Sequence, residues 1–296
     1  MPHWLKVRGF PSTPKVIPIS SGSLSKEEKE VQDRAWNYFK ENSAQLVSEY
    51  LRINGSTLDA DRAKDLFPEY AITLECRIKY ASAVYEPAQQ IVDQAFLGLV
   101  ESRSAKGKTV IFTAGGPGAG KSSFMFTLEE EFKDAVVIMD GTLADRVRAQ
   151  INIELALQHG CLVAIYYMHR RFEDCVQGVI DRALSSTSGR TVPMRVVATK
   201  YFGAIHTVQA LAREFKNEPR VLIEIKRFVS QGEPAENGTL GEVIRDTPNS
   251  LDQLIRKAYL IVNERYHSAQ QRGESFPRKT YERLASHAPS FKGPRR

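Results

Sequence analysis

The sequence predicts an α/β fold in which helices cover both faces of a parallel β-sheet. Short apolar runs lack the apolar–polar alternation of a half-exposed strand, and segments with helical spacing separate them. A glycine-rich loop directly follows the first run and precedes a segment with helical spacing. The predicted strands are, in chain order, residues 108–113, 135–139, 161–168 and 221–228.

The composition divides the 296 residues into four parts. Residues 1–25 are rich in Ser and Pro and are predicted to form a disordered tail. Residues 26–105 form a helical N-terminal region, and residues 106–230 form the α/β core. Residues 231–296 are predicted to be a helical C-terminal extension with a basic tail.

Helical spacing, together with start and stop signals, predicts a series of helices. In the N-terminal region, Thr57 or Asp59 is expected to cap a helix that Pro68 stops. The other predicted helices are residues 26–51, 70–84, 87–103, 122–132, 143–159, 172–184, 194–216, 249–270 and 278–286.

The sequence also indicates the cellular compartment in which the protein is expected to fold. The three cysteines show no CxxC spacing, so neither a disulfide framework nor a zinc site is expected. The sequence has no signal-peptide pattern, and its apolar runs are too short to cross a bilayer. We therefore expect a cytoplasmic protein without a membrane partner, while the Ser/Pro-rich start is compatible with secretion as an effector.

The net charge of +6 is mildly basic. Such a charge is compatible with nucleic-acid binding, but an enzyme that handles phosphates needs positive charge near its site as well. Nucleic acid is therefore not the expected partner.

The glycine-rich loop matches the pattern G-x-x-x-x-G-K-[S/T]. Glycines let the backbone wrap around an anion, and successive amides then point at the phosphates. Lys121 is expected to bridge the β- and γ-phosphates, and the Ser122 hydroxyl to bind Mg²⁺. The sequence thus predicts a P-loop NTPase-type core that binds ATP and Mg²⁺; a chance glycine-rich turn is the alternative. The predicted nucleotide-binding residues are Gly116, Gly118, Ala119, Gly120, Lys121, Ser122 and Ser123.

Other motifs separate the classes of P-loop protein. The guanine-reading Asn-Lys-x-Asp of GTPases and the Leu-Ser-Gly-Gly signature of transporters do not occur in the sequence. Asp140 is followed by Gly141, whereas motor ATPases usually place a water-activating Glu there. These observations favour a small-molecule kinase.

A kinase needs a carboxylate near the phosphates and arginines on a lid. Asp140 follows an apolar run and should emerge at the edge of the sheet where ligands bind, so it can accept a hydroxyl proton or hold Mg²⁺. The alternative is that Asp140 only caps the next helix. Arg182 and Arg190 bracket a small, polar segment and can act as lid arginines. The alternative for both is a solvated surface position.

His206 lies in a segment with helical spacing and is a candidate for binding the acceptor. The alternative is a histidine on the helix surface or one satisfied in the core. Lys200, earlier in the same segment, is a candidate of similar status.

These motifs in order resemble the zeta-toxin-like P-loop kinases. The resemblance covers roughly residues 106–230 and includes the glycine-rich loop, Asp140-Gly141-Thr142, Asp181-Arg182 and residues 189–193, Gly-Arg-Thr-Val-Pro. The family implies a phosphotransferase that depends on ATP and Mg²⁺. Its best-known members phosphorylate UDP-N-acetylglucosamine and are held inactive by an antitoxin, and a relative among secreted effectors phosphorylates NAD.

By position, the resemblance implies that Lys121 and Ser122 are the phosphate-loop pair and that Asp140 and Thr142 contact the substrate. Arg182 and Arg190 match the lid arginines. In the toxins, a further strand and helix separate the phosphate loop from the acid-Gly-Thr element, and that strand carries the catalytic Asp. Here Asp140 lies only 19 positions after Lys121.

The catalytic base that accepts the proton of the acceptor hydroxyl is therefore expected to be Asp140 itself or a residue elsewhere in the chain. Weaker candidates are Asp145 and Glu173. The expected function is transfer of the γ-phosphate of ATP to a nucleotide, sugar nucleotide or dinucleotide by a toxin or effector. An antitoxin or chaperone on the helical N-terminal region is a candidate partner. The alternatives are a polynucleotide kinase and a nucleotide-binding interaction protein without turnover.

Overall fold

The computed structural model describes residues 24–127, 133–185, 191–228 and 235–286. The predicted tail, residues 1–25, lies outside these ranges except for Leu24 and Ser25. The Ser25 side chain accepts from the amide of Glu28, whose carboxylate accepts from the Ser25 amide, so this capping box starts the first helix.

The N-terminal region is mostly helical, as predicted. Its long first helix bends at Asn42 and ends at Gly55. The segment predicted as one helix over residues 70–84 is instead two short helices, the second of which is capped by the Thr73 side chain. The helices are α1 (Lys26–Asn54), α2 (Ala60–Ala63), α3 (Pro68–Ala71), α4 (Leu74–Tyr80) and α5 (Tyr85–Glu101), with a 3₁₀ turn at Lys64–Leu66.

The described residues form one six-stranded sheet with the order β1-β3-β2-β4-β5-β6. The pairs among the first five strands are parallel, whereas β6 runs antiparallel to β5, so the prediction of a parallel sheet is correct except at this edge. The sequence prediction missed the two shortest strands, at the two edges. The strands are β1 (Thr57–Leu58), β2 (Thr109–Ala114), β3 (Val137–Met139), β4 (Leu162–His169), β5 (Val221–Arg227) and β6 (Glu236–Asn237).

The remaining helices include each predicted one, of which residues 128–132 of the helix after the loop lie outside the described residues, and one short helix, Leu240–Arg245, that the sequence analysis missed. Asp145, not the region of Leu143, caps the helix after β3, because Leu143 has a φ of 54° that a helix does not accept. The helices are α6 (Lys121–Thr127), α7 (Arg146–Gln158), α8 (Phe172–Leu184), α9 (Met194–Glu214), α10 (Leu240–Arg245), α11 (Leu251–Arg272) and α12 (Arg278–Leu284).

Apolar side chains cover both faces of the sheet. Val110 and Phe112 of β2 belong to a core with α1, α5 and α7, whereas Ile111 belongs to a second core with α8 and α11. Successive residues of a strand point to opposite faces, so a strand with an apolar residue at each position is buried on both. This explains why the central strands lack alternation in the sequence.

In the part of the chain that the structure describes, no helix has the length and apolar character needed to traverse a lipid bilayer. Cys76, Cys161 and Cys175 are free thiols, as expected from their spacing.

Candidate functional site

The glycine-rich loop, residues 115–122, connects the end of β2 to the start of α6. Its backbone is tightly packed. Gly118 has a φ of 78°, and a Cβ there would lie 2.2 Å from the carbonyl oxygen of Cys175 on α8. Gly115 has a φ of 128°, and a Cβ there would lie 2.7 Å from the carbonyl oxygen of Met168. Only glycine fits both the conformation and the space at these positions.

Lys121 reaches back over this loop. Its Nζ donates to the carbonyl oxygens of Gly115 and Gly116, both at 3.0 Å. Burial lowers the pKa of Lys121, and the negative charge of Asp140 is the largest of the effects that oppose this fall. Two backbone contacts thus hold the partly buried ammonium group against the loop, within electrostatic range of the Asp140 carboxylate.

Ser122 and Ser123 lie in the first turn of α6 and are exposed to solvent. Gly116, Gly118 and Ala119 are buried. The loop therefore presents hydroxyl groups at its open side, while its backbone packs against the protein.

A second backbone contact to the loop comes from an arginine that the sequence reasoning missed. Arg170 follows β4, and its Nη1 donates to the Gly118 carbonyl oxygen at 3.0 Å. The position directly after a buried strand, at the carboxyl edge of the sheet, is the signal that could have found it.

Asp140 directly follows β3, the neighbour of β2 in the sheet. The hydroxyl of Thr113 donates to its Oδ1 at 3.0 Å and accepts from the Gly141 amide at 3.2 Å. The carbonyl oxygen of Thr142 accepts from the Gly115 amide at 3.1 Å. The acid-Gly-Thr segment is therefore hydrogen-bonded to Thr113 of β2 and to Gly115, the first residue of the glycine-rich loop. The structure thus brings this segment and the loop together.

Asp59 is a second carboxylate at this edge, and the sequence reasoning considered it only as a helix cap. Strand β1 pairs in parallel with β3 so that Leu58 lies opposite Met139, which makes Asp59 and Asp140 the next residues of neighbouring strands. The side chain of Asp59 does cap α2. Burial lowers the pKa of Lys121, and the Asp59 charge is among the weaker effects that oppose this fall, so the carboxylate lies within electrostatic range of the loop lysine.

Tyr50 holds the end of β1 in place. Its fully buried hydroxyl accepts from the Asp59 amide at 2.7 Å and lies 3.1 Å from the Thr57 carbonyl oxygen. Sequence reasoning could not identify β1, because two residues are too few for any periodicity. The only signal is the repeated pattern of an apolar residue followed by Asp, at Leu58-Asp59 and Met139-Asp140.

The two weaker candidates for the base have structural partners. Asp145 caps α7, and its Oδ1 accepts from the Arg148 amide at 3.1 Å. Glu173 forms an ion pair with Lys257. Asp59 and Asp140 have partners as well, the Asp61 amide and the Thr113 hydroxyl, so their position directly after neighbouring parallel strands is what distinguishes them.

Arg182 lies in the last turn of α8 and is exposed. Its positive charge contributes to the lowered pKa of Lys121, so it lies within electrostatic range of the loop. Arg190, the other predicted lid residue, is outside the described residues.

His206 is exposed on α9, with its ring 4.3 Å from the ring of Phe202. On an α-helix it lies about 140° around the axis from Tyr201, at roughly 100° per residue. Tyr201 is the residue that packs against Gly116 of the loop. Acceptor binding by His206 stays a prediction.

No protein-family model matches the chain, and no curated protein matches it significantly. Among the described residues, no group of three or more His, Cys, Asp or Glu side chains converges as a metal site would require. The protein alone therefore offers few metal ligands in the described ranges, and a cation at the loop would depend on Ser122, Asp140, water and phosphate oxygens.

Proposed function

We propose that this chain has a P-loop NTPase-type core and is an ATP-dependent kinase of the zeta-toxin type. The observation that carries this proposal is the arrangement around Lys121. Its ammonium group is hydrogen-bonded to two backbone carbonyls of the glycine-rich loop, which follows β2. Asp140 follows β3, the neighbour of β2, and Asp59 follows β1, the neighbour of β3. A cationic loop beside paired carboxylates is suited to moving a phosphoryl group to a hydroxyl.

The donor set of this site fits Mg²⁺. This ion prefers oxygen ligands, keeps several waters, and is usually held by one or two protein groups together with substrate phosphates. The exposed Ser122 hydroxyl and the Asp140 carboxylate, one strand away, are such groups. When bound, the ion would neutralise charge on the β- and γ-phosphates.

The strand order suggests which carboxylate would bind the metal and which would act as the catalytic base. Asp140 follows β3, the strand beside β2, and in this proposal it would hold the metal through water. Asp59 follows the next strand outward, about 5 Å further along the sheet. We assign the acceptor hydroxyl to Asp59 because it stands further from β2 than Asp140 does. In this proposal Asp59 accepts the hydroxyl proton, the hydroxyl oxygen bonds to the γ-phosphorus, and the bond from that phosphorus to the bridging oxygen breaks to release ADP.

The arginines complete the site. Arg182 stands within electrostatic range of Lys121 and, with Arg190, would stabilise charge on the transferring phosphoryl group. Thr142 belongs to the acid-Gly-Thr segment and, with His206, is assigned to the acceptor.

The proposed acceptor is a hydroxyl of a nucleotide, a sugar nucleotide such as UDP-N-acetylglucosamine, or a dinucleotide such as NAD. The proposed biological role is that of a toxin or effector, acting in the cytoplasm of the producing cell or of a host. An antitoxin or chaperone would bind the helical N-terminal region, which supplies β1 and Asp59 to the site.

The experiment that tests this function is incubation of the full chain with labelled ATP and Mg²⁺ in a metabolite extract. We expect one species to gain a phosphate, and Lys121→Ala to abolish the gain because the contact with the phosphates is lost. Lys216→Ala, at an exposed position, is the matched control and should stay active. ATP hydrolysis at the same rate with and without the extract would contradict the kinase. Labelled oligonucleotides would indicate the polynucleotide alternative, and ATP binding without any product would indicate the non-catalytic one.

A further inference from the structure

A basic and an aromatic side chain flank the glycine-rich loop on the side away from Asp140 and Asp59. Arg170 directly follows β4, and Phe228 directly follows β5. In the sheet order β1-β3-β2-β4-β5-β6, the loop strand β2 separates these two residues from the two carboxylates, which follow β3 and β1. The edge of the sheet where ligands bind thus has an acidic side and a side with a guanidinium group and a ring.

The register of the two strands brings Arg170 and Phe228 next to each other. His169 and Arg227, the last residues of β4 and β5, are partners in the parallel pairing. The Phe228 amide donates to the His169 carbonyl oxygen at 3.2 Å, so the pairing extends one residue further. Neighbouring strands are about 5 Å apart, and paired residues present their side chains on the same face. The guanidinium group and the ring are therefore neighbours.

Both side chains contact the same stretch of the glycine-rich loop. Arg170 Nη1 donates to the Gly118 carbonyl oxygen at 3.0 Å. The Phe228 ring packs on Gly120, where a Cβ would lie 3.1 Å, 3.2 Å and 3.4 Å from three of the ring carbons. Both residues are only partly buried. A molecule that extends from the loop towards β4 and β5 would therefore meet a guanidinium plane and an aromatic ring.

The surrounding contacts hold this pair in place. The Tyr201 hydroxyl donates to the Arg170 carbonyl oxygen at 3.1 Å, and the Tyr201 ring lies so close to the loop that a Cβ at Gly116 would be 2.8 Å from it. Phe228 also packs against the second core. Groups that are fixed before a ligand arrives bind it with a smaller loss of conformational entropy. Arg170 and Phe228 are therefore positioned by the protein itself.

The proposed kinase function indicates which end of the nucleotide would lie on this side of the loop. In that proposal the γ-phosphate and the acceptor hydroxyl face Asp140 and Asp59, which follow β3 and β1. A nucleoside triphosphate carries its nucleoside at the other end of the phosphate chain. The nucleoside would therefore extend from the loop in the opposite direction, towards β4 and β5.

We propose that Arg170 and Phe228 bind the base of the nucleoside triphosphate whose phosphates lie in the glycine-rich loop. The inference rests on the proposed function for the position of the phosphates, and it adds the residues that hold the base. Bases are planar, and they stack on aromatic rings and on guanidinium groups. The base of a nucleotide acceptor has the same chemistry, so the experiment uses the phosphate donor alone.

The test is isothermal titration of the full chain with Mg²⁺ and without an acceptor. The ligands are a non-hydrolysable ATP analogue and, separately, tripolyphosphate, which lacks the base. We expect Phe228→Ala to weaken binding of the ATP analogue about fivefold to a hundredfold, the usual loss when a base loses its aromatic partner. The affinity for tripolyphosphate should not change. Phe228→Tyr should bind both ligands as the unaltered chain does, because the ring is kept.

Arg170→Lys keeps the positive charge but removes the guanidinium plane. Because this change also alters the contact with Gly118, the quantity to compare is the ratio of the two affinities, which should shift in favour of tripolyphosphate. Phe215→Ala is the matched control, since this partly buried ring packs on the first core and precedes β5, at the end of the sheet opposite the loop. It should leave both affinities unchanged.

If circular dichroism shows that Phe228→Ala is unfolded, Phe228→Leu takes its place, because leucine keeps most of the apolar volume. An unchanged affinity of the folded Phe228 variant for the ATP analogue, or an equal loss for tripolyphosphate, would overturn the inference and leave the proposed function standing. If neither ligand binds the unaltered chain, or if both bind Lys121→Ala equally well, the proposed function fails and the inference fails with it.

Discussion

The carbonyl oxygen of Leu58 accepts a hydrogen bond from the Asp140 amide at 2.9 Å. This contact joins two segments that stand on opposite sides of the glycine-rich loop in the sequence. It places β1, a strand from the N-terminal region, at the edge of the sheet beside β3. Asp59 thereby stands one strand outward from Asp140.

Asp59→Asn should reduce phosphoryl transfer at least about a hundredfold, the usual contribution of a general base. The fold should persist, because Asn caps a helix as well as Asp does. The measurement is kcat from acceptor-dependent ADP release, with Asp33→Asn on the exposed face of α1 as the control. A kcat for Asp59→Asn equal to that of the control would exclude Asp59 as the base.

Tyr50→Phe should displace Asp59 but leave the structure of the glycine-rich loop unchanged. Removal of the hydroxyl leaves the Asp59 amide and the Thr57 carbonyl without this partner, which should cost about 1–3 kcal/mol of unfolding free energy. We also expect a lower kcat with little change in the affinity for ATP. Urea unfolding and steady-state kinetics measure both, with Tyr38→Phe as an exposed control. Unaltered stability would show that the hydroxyl does not hold β1.

Gly118→Ala should disrupt the loop. The residue has a positive φ, and the new Cβ would meet the Cys175 carbonyl at 2.2 Å. We expect ATP affinity to fall at least about tenfold and stability to fall by about 1–3 kcal/mol from strain alone. Gly98→Ala is the matched control, since a Cβ there meets open space within α5. It should raise stability by about 0.5–1 kcal/mol. Nucleotide binding by Gly118→Ala at the original affinity would refute a closely packed loop.

Stability should decrease as the pH rises from about 9 to 12. Burial raises the pKa of Cys175 from 9.0 to about 12 and that of Tyr50 from 10.0 to about 12. In this range the unfolded chain loses protons that the folded chain keeps, so the stability present below pH 9 is progressively lost. Urea midpoints measured at pH 8, 10 and 11.5 test this. Cys175→Ala should make the urea midpoint fall less steeply with pH. A midpoint that does not change with pH would contradict the raised pKa of the buried thiol.

Part of the architecture was predictable because it depends on local chemistry. The loop strand, the glycine-rich turn and Lys121 form a contiguous pattern in which each residue type has a physical reason. The central strands were predictable because burial on both faces requires unbroken apolar runs. Asp140 could be placed at the ligand-binding edge because it ends such a run.

Other features depend on contacts between distant segments. The edge strand β1 contains only Thr57 and Leu58, and it exists because β3 supplies its hydrogen-bonding partner. The antiparallel strand β6 depends in the same way on β5. Lys200 could be named as a candidate, but only packing shows that its ammonium lies 5.6 Å from the centroid of the Tyr85 ring.

The sequence by itself determined an α/β chain with a glycine-rich loop, a lysine and a carboxylate suited to phosphate chemistry, because these depend on local spacing and on side chains near one another in the chain. The tertiary structure decided which segment completes the edge of the sheet and which second carboxylate stands beside Asp140. A two-residue strand carries no periodicity of its own, so its place is set by hydrogen bonds to a strand about 80 residues away along the chain.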